Sequence, residues 1–266
     1  MSAAEPILHI MITAAGGAYQ RAAAASAATF AIHNASNARI SVLLPSTERI
    51  SSHLRQHSRQ FGFAVQKFPF DPGNPDYITS WLKCQAFVWA LERVALDDLA
   101  LFADADTCCL KPIRLGLGIQ KKILRGRIGM VLDIVDRHFE DPKVPWYLTP
   151  RERRPYVNSG VIFAANASLP FFQFILKLSR EPRFLKGPFQ DQKVLNFAFG
   201  KHFPNTLLLV PRRFNAICSC AADTAITHFA GGAGLLGKQS RAADHLKTCR
   251  RELAKSAARA SAAPPA

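Results

Sequence analysis

The chain has 266 residues, 48% hydrophobic and 20% charged, a balance that excludes global disorder. Its 34 Lys and Arg against 19 Asp and Glu leave a formal net charge of +15. That excess calls for an anionic partner, whether nucleotide phosphate, acidic glycan, anionic membrane face or nucleic acid. Glu5 and the absence of Lys or Arg before the first apolar stretch leave no basic start for a secretory signal. No run reaches the roughly 18–20 apolar residues of a membrane helix, so the expectation is a cytoplasmic protein. Its six cysteines form no CxxC pair and read as free thiols, with Cys218 and Cys220 too poorly spaced for a zinc site.

In chain order, Ile7–Thr13 is a short apolar run of strand length, followed by small residues and Gly16-Gly17. Residues 18–33 are Ala-rich and helical, with Asn34 as the stop. A second strand, Ile40–Leu44, closes at Pro45, and Ser46 is placed to cap a helix to about residue 60 with Glu48 in its first turn. Phe63–Phe68 is a third strand and Asp71-Pro72-Gly73-Asn74-Pro75 a loop. Thr79 or Ser80 caps a helix to about Ala95, and Leu99–Ala103 is a fourth strand. This alternation predicts βαβ units and a largely parallel sheet. Strands follow at Ile128–Ile134 and Val157–Ala165, then a helix over Leu169–Leu178 capped by Ser168. Gln190–Phe199 is a further helix, and Leu207–Val210 and Ile226–Phe229 are strands. From Gln239 the chain is basic and Ala-rich, a peripheral helix fraying into a disordered tail.

Four constellations carry chemistry. Asp104 and Asp106 end the fourth strand two residues apart, a spacing that in extended chain aims both carboxylates the same way. Two like charges held together need a cation, and hard divalent ions prefer carboxylate oxygens; a solvated turn is the bland alternative. Asn158-Ser159-Gly160 opens an apolar strand and suits either a close backbone approach to a ligand or a plain turn. Asp191 and Gln192 stand at a helix start, where they either hydrogen-bond sugar hydroxyls or complement the helix dipole. His228 leaves a strand into a loop containing Gly231, Gly232 and Gly234, with Lys238 following. The imidazole is a metal ligand or a structural group; the glycines admit phosphate oxygens to backbone amides, and Lys238 adds positive charge.

In this order the motifs resemble the retaining family 8 glycosyltransferases, over roughly residues 7–238. The resemblance implies an α/β GT-A fold, a Rossmann-like, mostly parallel sheet flanked by helices. It divides the chain into one catalytic domain, 1–238, with a nucleotide-binding half to 110 and an acceptor half from 111, followed by the tail 239–266. It also implies a hexosyltransferase using a nucleotide-sugar donor, normally a UDP-sugar. A Mn²⁺ or Mg²⁺ ion would be held by Asp104, Asp106 and His228. Asn158, Gly160, Asp191 and Gln192 would contact the donor sugar, with Asp191 and Gln192 as the catalytic pair. Lys83, in Trp81-Leu82-Lys83-Cys84, would lie near the donor, and Tyr19 would pack on the base. Thr13-Ala14 stands where the family places acidic or Asn residues that read uracil, and Lys193 stands where an acidic residue is common. The family's final motif sets Lys sooner after His and continues with Pro-Trp; here Lys238 comes ten residues after His228, followed by Gln239-Ser240.

Such an ion, with Lys238, would neutralise charge on the departing diphosphate. Retention rests on the resemblance alone. A nucleotidyltransferase shares these needs, but only Gly16-Gly17 stands for its phosphate loop. A nucleic-acid-binding protein would explain the charge, but the basic residues are scattered rather than interleaved with aromatics, so no nucleic acid is expected. The tail sets Arg241, Lys247, Arg250, Arg251, Lys255 and Arg259 against Asp244 and Glu252. It is expected to be dispensable for chemistry on a soluble acceptor, and it reads either as a segment holding the enzyme on an anionic membrane face, where a lipid-linked glycan acceptor would sit, or as a solvated tail that aids solubility.

Overall fold

The computed structural model describes residues 6–71, 78–134, 148–149, 151–152, 154–181, 184, 190–217, 219, 221–229 and 238–262. The chain is α/β, with ten strands and seven helices among the described residues. In order these are β1 (Leu8–Thr13), α1 (Gly16–Asn34), β2 (Ala38–Pro45), α2 (Ser52–Phe61), β3 (Ala64–Phe68), α3 (Ile78–Leu91), β4 (Leu99–Ala103) and β5 (Thr107–Cys109). They continue with α4 (Leu117–Leu124), β6 (Ile128–Leu132), β7 (Val157–Ala164), α5 (Leu169–Leu178), α6 (Gln190–Lys201), β8 (Leu207–Leu209), β9 (Ala216–Ile217), β10 (Ile226–His228) and α7 (Lys238–Ala262). Seven strands form one mostly parallel sheet in the order β3-β2-β1-β4-β7-β6-β8, and a second sheet has the order β5-β10-β9. Among the described residues no helix is long and apolar enough to cross a membrane.

The chain folds as two compact units, each drawn from three segments. The first comprises residues up to His9, Phe68–Phe102 and Leu115–Arg212. Every residue of its strand β7 is buried, as expected of a strand covered on both faces. Helices α3 and α5 pack through an aromatic cluster: the Phe87 ring lies 4.2 Å from Phe102 and 5.5 Å edge-on from Phe172. Phe171 stacks on Phe199 of α6 at 4.7 Å. Such pairs contribute roughly 0.5–1.5 kcal/mol each beyond the area they bury.

The second unit comprises Ile10–Lys67, Ala103–Arg114 and Arg213 onward. Helix α1 opens at Gly16, whose φ of +76° is a conformation residues with a Cβ rarely take. Its Ala23, Ala24, Ala27 and Ala28 have no exposed surface, because a helix apolar all round must be covered all round. Three of its four buried polar residues have a single target. Ser26 Oγ is 3.0 Å from Thr107 Oγ1, Thr29 Oγ1 accepts from Cys109 N at 3.0 Å, and Asn34 Oδ1 accepts from Ile113 N at 2.8 Å. They hold β5 and the residues after it against α1.

Two helices differ from expectation. Helix α2 begins at Ser52, not after Ser46, and its cap is Ser51, whose Oγ accepts from Leu54 N at 3.2 Å. Buried Gln20 is the cause: its amide donates to Arg49 O at 2.9 Å and accepts from Ser51 N at 2.8 Å, holding that stretch extended. Residues 46–48 form a turn instead. Thr79 and Ser80 lie inside α3, which ends at Leu91, four residues before Ala95. The C-terminal segment is a 25-residue helix, α7, in which His245 and Cys249 are buried in the second unit. Cys249 joins Ala25, Cys108 and Phe229 in one apolar cluster, with Leu246 packed against it.

Candidate functional site

In the second unit the chain leaves Ala103 through a tight turn, Asp104-Ala105-Asp106-Thr107, closed by Thr107 N donating to Asp104 O at 3.1 Å. Thr107 Oγ1 donates to the same carbonyl at 2.7 Å. The two carboxylates therefore converge as the first and third residues of a turn, not through the side-chain alternation of a strand. The chain then enters β5, a strand the sequence did not suggest. Strand β10 returns antiparallel to it, with His228 opposite Thr107 and Phe229 N donating to Asp106 O at 3.0 Å.

This register puts the nearly buried His228 ring against both carboxylates: Nε2 is 3.4 Å from Asp106 Oδ1 and 3.7 Å from Asp104 Oδ2. Nδ1 lies 3.1 Å from Oδ1 of fully buried Asn215. A carbonyl oxygen only accepts, so Nδ1 carries a proton, and Nε2 is the ring nitrogen turned toward the two carboxylates. One ligand atom from each of Asp104, Asp106 and His228 lies within 4.8 Å of the others. Neighbouring ligands of an octahedral ion with bonds of ~2.1 Å sit about 3 Å apart, so the group closes on such an ion with small rotations. An imidazole fixed through its other nitrogen is the usual arrangement of a metal-ligating His. The donor set of two hard oxygens and one imidazole suits a divalent cation.

In the first unit a second cluster gathers at β7, α3 and the start of α6. Lys83 Nζ donates to Asp191 Oδ2 at 2.6 Å, and Ser159 Oγ donates to the same oxygen at 2.8 Å. Burial pushes the Asp191 carboxyl up, but the Lys83 charge, its hydrogen bond, the Ser159 hydroxyl and the Gln192 amide outweigh it and hold the pKa below the ordinary carboxylate value. Asp191 is thus ionised across the neutral range. Beside it the Cys84 thiol is pushed up to about 12, by burial first and by the Asp191 charge second, and so stays protonated.

Gln192 is held at three points. Its Oε1 accepts from Asn158 Nδ2 and Ser159 N, each at 3.1 Å, and its Nε2 donates to Asp133 Oδ2 at 2.6 Å. The neighbouring Asn196 amide accepts from Val157 N at 2.8 Å and donates to Val157 O at 2.9 Å, pairing with β7 as another strand would. Gly160 lies within β7, and its N–H donates to Asn158 Oδ1 at 2.9 Å. Asn158-Ser159-Gly160 is thus part of the buried strand β7, at the point where its pairing with β6 slips register between Met130–Ile162 and Val131–Asn158.

Of the other expected site residues, Thr13 ends β1 and Ala14 N donates to Leu43 O at 3.0 Å. Tyr19, on the first turn of α1, is 38% exposed. Lys238 opens α7, and Gly231 lies outside the described residues. Three residues of the two clusters went unnoticed in the sequence: Asn215, Asp133 and Ser159 as a partner of Asp191. Ser159 sat inside a motif; Asn215 and Asp133 sit in none.

No family model matches the chain, and no curated protein matches it by sequence. Its fold nonetheless matches solved glycosyltransferases. The galactosyltransferase LgtC in complex with donor and acceptor sugar analogs superposes with a TM-score of 0.58 at 17% identity, over 90% of this chain and 95% of that one. Mouse xyloside xylosyltransferase 1 superposes with a TM-score of 0.55 at 15% identity, over 88% of this chain and 100% of its own. A glycosyltransferase that glycosylates the major capsid of PBCV-1 gives 0.54 at 14% identity, covering 91% and 100%. The fold is the GT-A fold of these glycosyltransferases, as the motif order led one to expect.

Proposed function

We propose that the chain is a hexosyltransferase that moves a sugar from a nucleotide-sugar, a UDP-sugar by the motif resemblance, to a glycan or lipid-linked acceptor, with a divalent cation at Asp104, Asp106 and His228. The observation that carries this reading is the convergence of two carboxylates and a pre-oriented imidazole in a GT-A fold. When bound, Mn²⁺ or Mg²⁺ would act as a Lewis acid toward the departing diphosphate. The chain's own part at that site is orientation: Asn215 keeps the proton on His228 Nδ1, and the turn at Thr107 holds the carboxylates together.

In the first unit, Asp191 and Gln192 offer an ionised carboxylate and a fixed amide to sugar hydroxyls, and Lys83 and Asp133 hold them in place. The relatives lend support: one LgtC structure is of an active-site variant with glutamine replaced by glutamate, the residue type proposed for Gln192. Retention rests on the motif resemblance, and Asp191, kept ionised, is the carboxylate we assign to it among the described residues. Gly231 and Lys238 are assigned to phosphate, Tyr19 to the base, and Thr13 and Ala14 to the edge of the nucleotide site. The exposed cations of α7 suit an anionic membrane face on the cytoplasmic side, where a lipid-linked acceptor would be met.

The test combines Mn²⁺ titration of the purified chain with mass-spectrometric detection of nucleoside diphosphate released from a panel of nucleotide-sugars. Metal-dependent release that chelator abolishes supports the reading; release unaffected by chelator, or pyrophosphate as the product, overturns it.

A further inference from the structure

Helix α7 reaches the turn that carries the metal ligands through one buried side chain. His245, 1% exposed, lies 2.9 Å through Nε2 from the carbonyl of Thr107. Because that carbonyl only accepts, the ring must hold its proton on Nε2, and the Cys249 Sγ, 3.3 Å from the same nitrogen, accepts a share of it. Burial, the largest influence, lowers the His245 pKa and so favours this neutral, singly protonated ring.

Thr107 is the hub of the turn. Its N–H and Oγ1 both bond Asp104 O, its Oγ1 also meets Ser26 Oγ, and it stands opposite His228 in the β5–β10 register. Its carbonyl is the polar group α1 does not reach, and His245 takes it from the other side. The His245 ring also meets Phe229, the residue after His228, edge-on with centroids 5.6 Å apart. One side chain of α7 therefore touches both the residue after Asp106 and the residue after His228.

We infer that His245 is a positioning residue for the metal group, locking Thr107 so that the Asp104–Asp106 turn and His228 keep ligand spacing. The inference rests on the cation reading proposed above. Residues that orient metal ligands from behind typically control about 10- to 100-fold of metal affinity.

The experiment measures Mn²⁺ Kd by calorimetric titration of the full chain, with thermal melts alongside. His245→Phe and His245→Met remove the donor, whereas His245→Gln keeps an N–H near the position of Nε2. Leu246→Ala loosens the packing of α7 on its apolar cluster without touching Thr107. The expected result is a Kd weakened about 10- to 100-fold in the Phe and Met variants, near wild-type in the Gln variant, and unchanged in Leu246→Ala despite a lowered Tm. Equal Kd in all variants, or the same weakening in Leu246→Ala as in His245→Phe, overturns the proposal. So does failure of both donorless variants to fold while His245→Gln folds, which would make His245 a stability residue. A wild-type chain that binds no Mn²⁺ overturns the cation reading itself, a distinct result.

Discussion

The two clusters arrange their polar groups in different ways. In the first unit Asp191 is met by Lys83 at 2.6 Å and by the Ser159 hydroxyl, and Gln192 spends its amide on Asn158, Ser159 and Asp133. The charge is answered within the unit, so the cluster is rigid as it stands. In the second unit two carboxylates share the space in front of one imidazole nitrogen whose partner nitrogen is already fixed by Asn215. Two carboxylates and the imidazole thus converge on one point, each offering a ligand atom within 4.8 Å of the others. The two clusters thus differ in geometry: one ties its carboxylate and amide into side-chain hydrogen bonds, the other turns three possible ligand atoms toward one another.

The most disruptive test of that contrast is Asp106→Asn. It removes a charged ligand and leaves the turn's backbone bonds in place, so the fold should persist. Loss of the Lewis acid costs several kcal/mol, and ~4 kcal/mol corresponds to about a 10³-fold fall in turnover. Turnover assays with a nucleotide-sugar, paired with a melt, check it; activity within tenfold of wild-type would show the Asp104–Asp106–His228 group to be structural.

Lys83→Met breaks the Asp191 group instead. Removing one partner of a buried pair leaves the other charge uncompensated, at a cost of roughly 3 kcal/mol, toward the low end because both side chains keep some exposure. The pH dependence gives the sign. In the wild type the folded Asp191 pKa is depressed, so its contribution is complete above the ordinary value near 4 and is lost as pH falls through the folded pKa. In the variant, burial dominates and the folded pKa rises. The variant's deficit should therefore shrink as pH falls from 7 toward 4. Melts across that range decide it, and a deficit independent of pH would mean Lys83 acts through packing alone.

Gln192→Glu has a smaller expected effect and the same pH signature. A carboxylate would replace the amide 2.6 Å from Asp133 Oδ2. A raised pKa of one unit corresponds to ~1.4 kcal/mol. Stability should fall by about that at pH 7 and recover on acidification, as the proton returns through the raised folded pKa. Sugar transfer should fall as well if Gln192 meets the donor; unchanged transfer with lowered stability would remove Gln192 from the site.

Much of this was legible because periodicity and punctuation report long, regular elements. Leu99–Ala103 and Leu169–Leu178 were read with their observed limits, since a buried strand and an amphipathic helix with Pro170 in its first turn follow from local pattern alone. The Asp104–Asp106–His228 grouping came from motif order, and the structure brings it together. What was not legible depends on contacts distant in sequence. Thr107–Cys109 is a strand only because Ile226–His228 pairs with it. Ser51 replaces Ser46 as a cap only because Gln20 reaches across from α1. Asn215 and Asp133 carry no motif, and their roles appear only once His228 and Gln192 stand in front of them.

The smallest effect on chemistry is expected from the outer face of α7, and the structure changes how that face is to be tested. Truncation at Lys238 would remove His245 and Cys249 from the unit's interior, so it would unfold what it meant to trim. Point changes are cleaner. Lys247, Arg250, Arg251 and Lys255 are exposed along the helix, and Lys255 is partly answered by Glu252 at 2.7 Å. Lys247 and Arg250 are the better choices. The cationic surface extends beyond α7, because the His53 pKa is lowered by burial first and then by the positive charge of His57, Arg21 and Arg250. Each cation near an anionic membrane contributes about 1 kcal/mol, so Lys247→Gln with Arg250→Gln should cost ~2 kcal/mol, close to a 30-fold loss of liposome affinity. Co-sedimentation with phosphatidylserine vesicles at low salt measures it, while turnover on a soluble acceptor should stay unchanged. Pelleting equal to wild-type would leave α7 with its interior role alone.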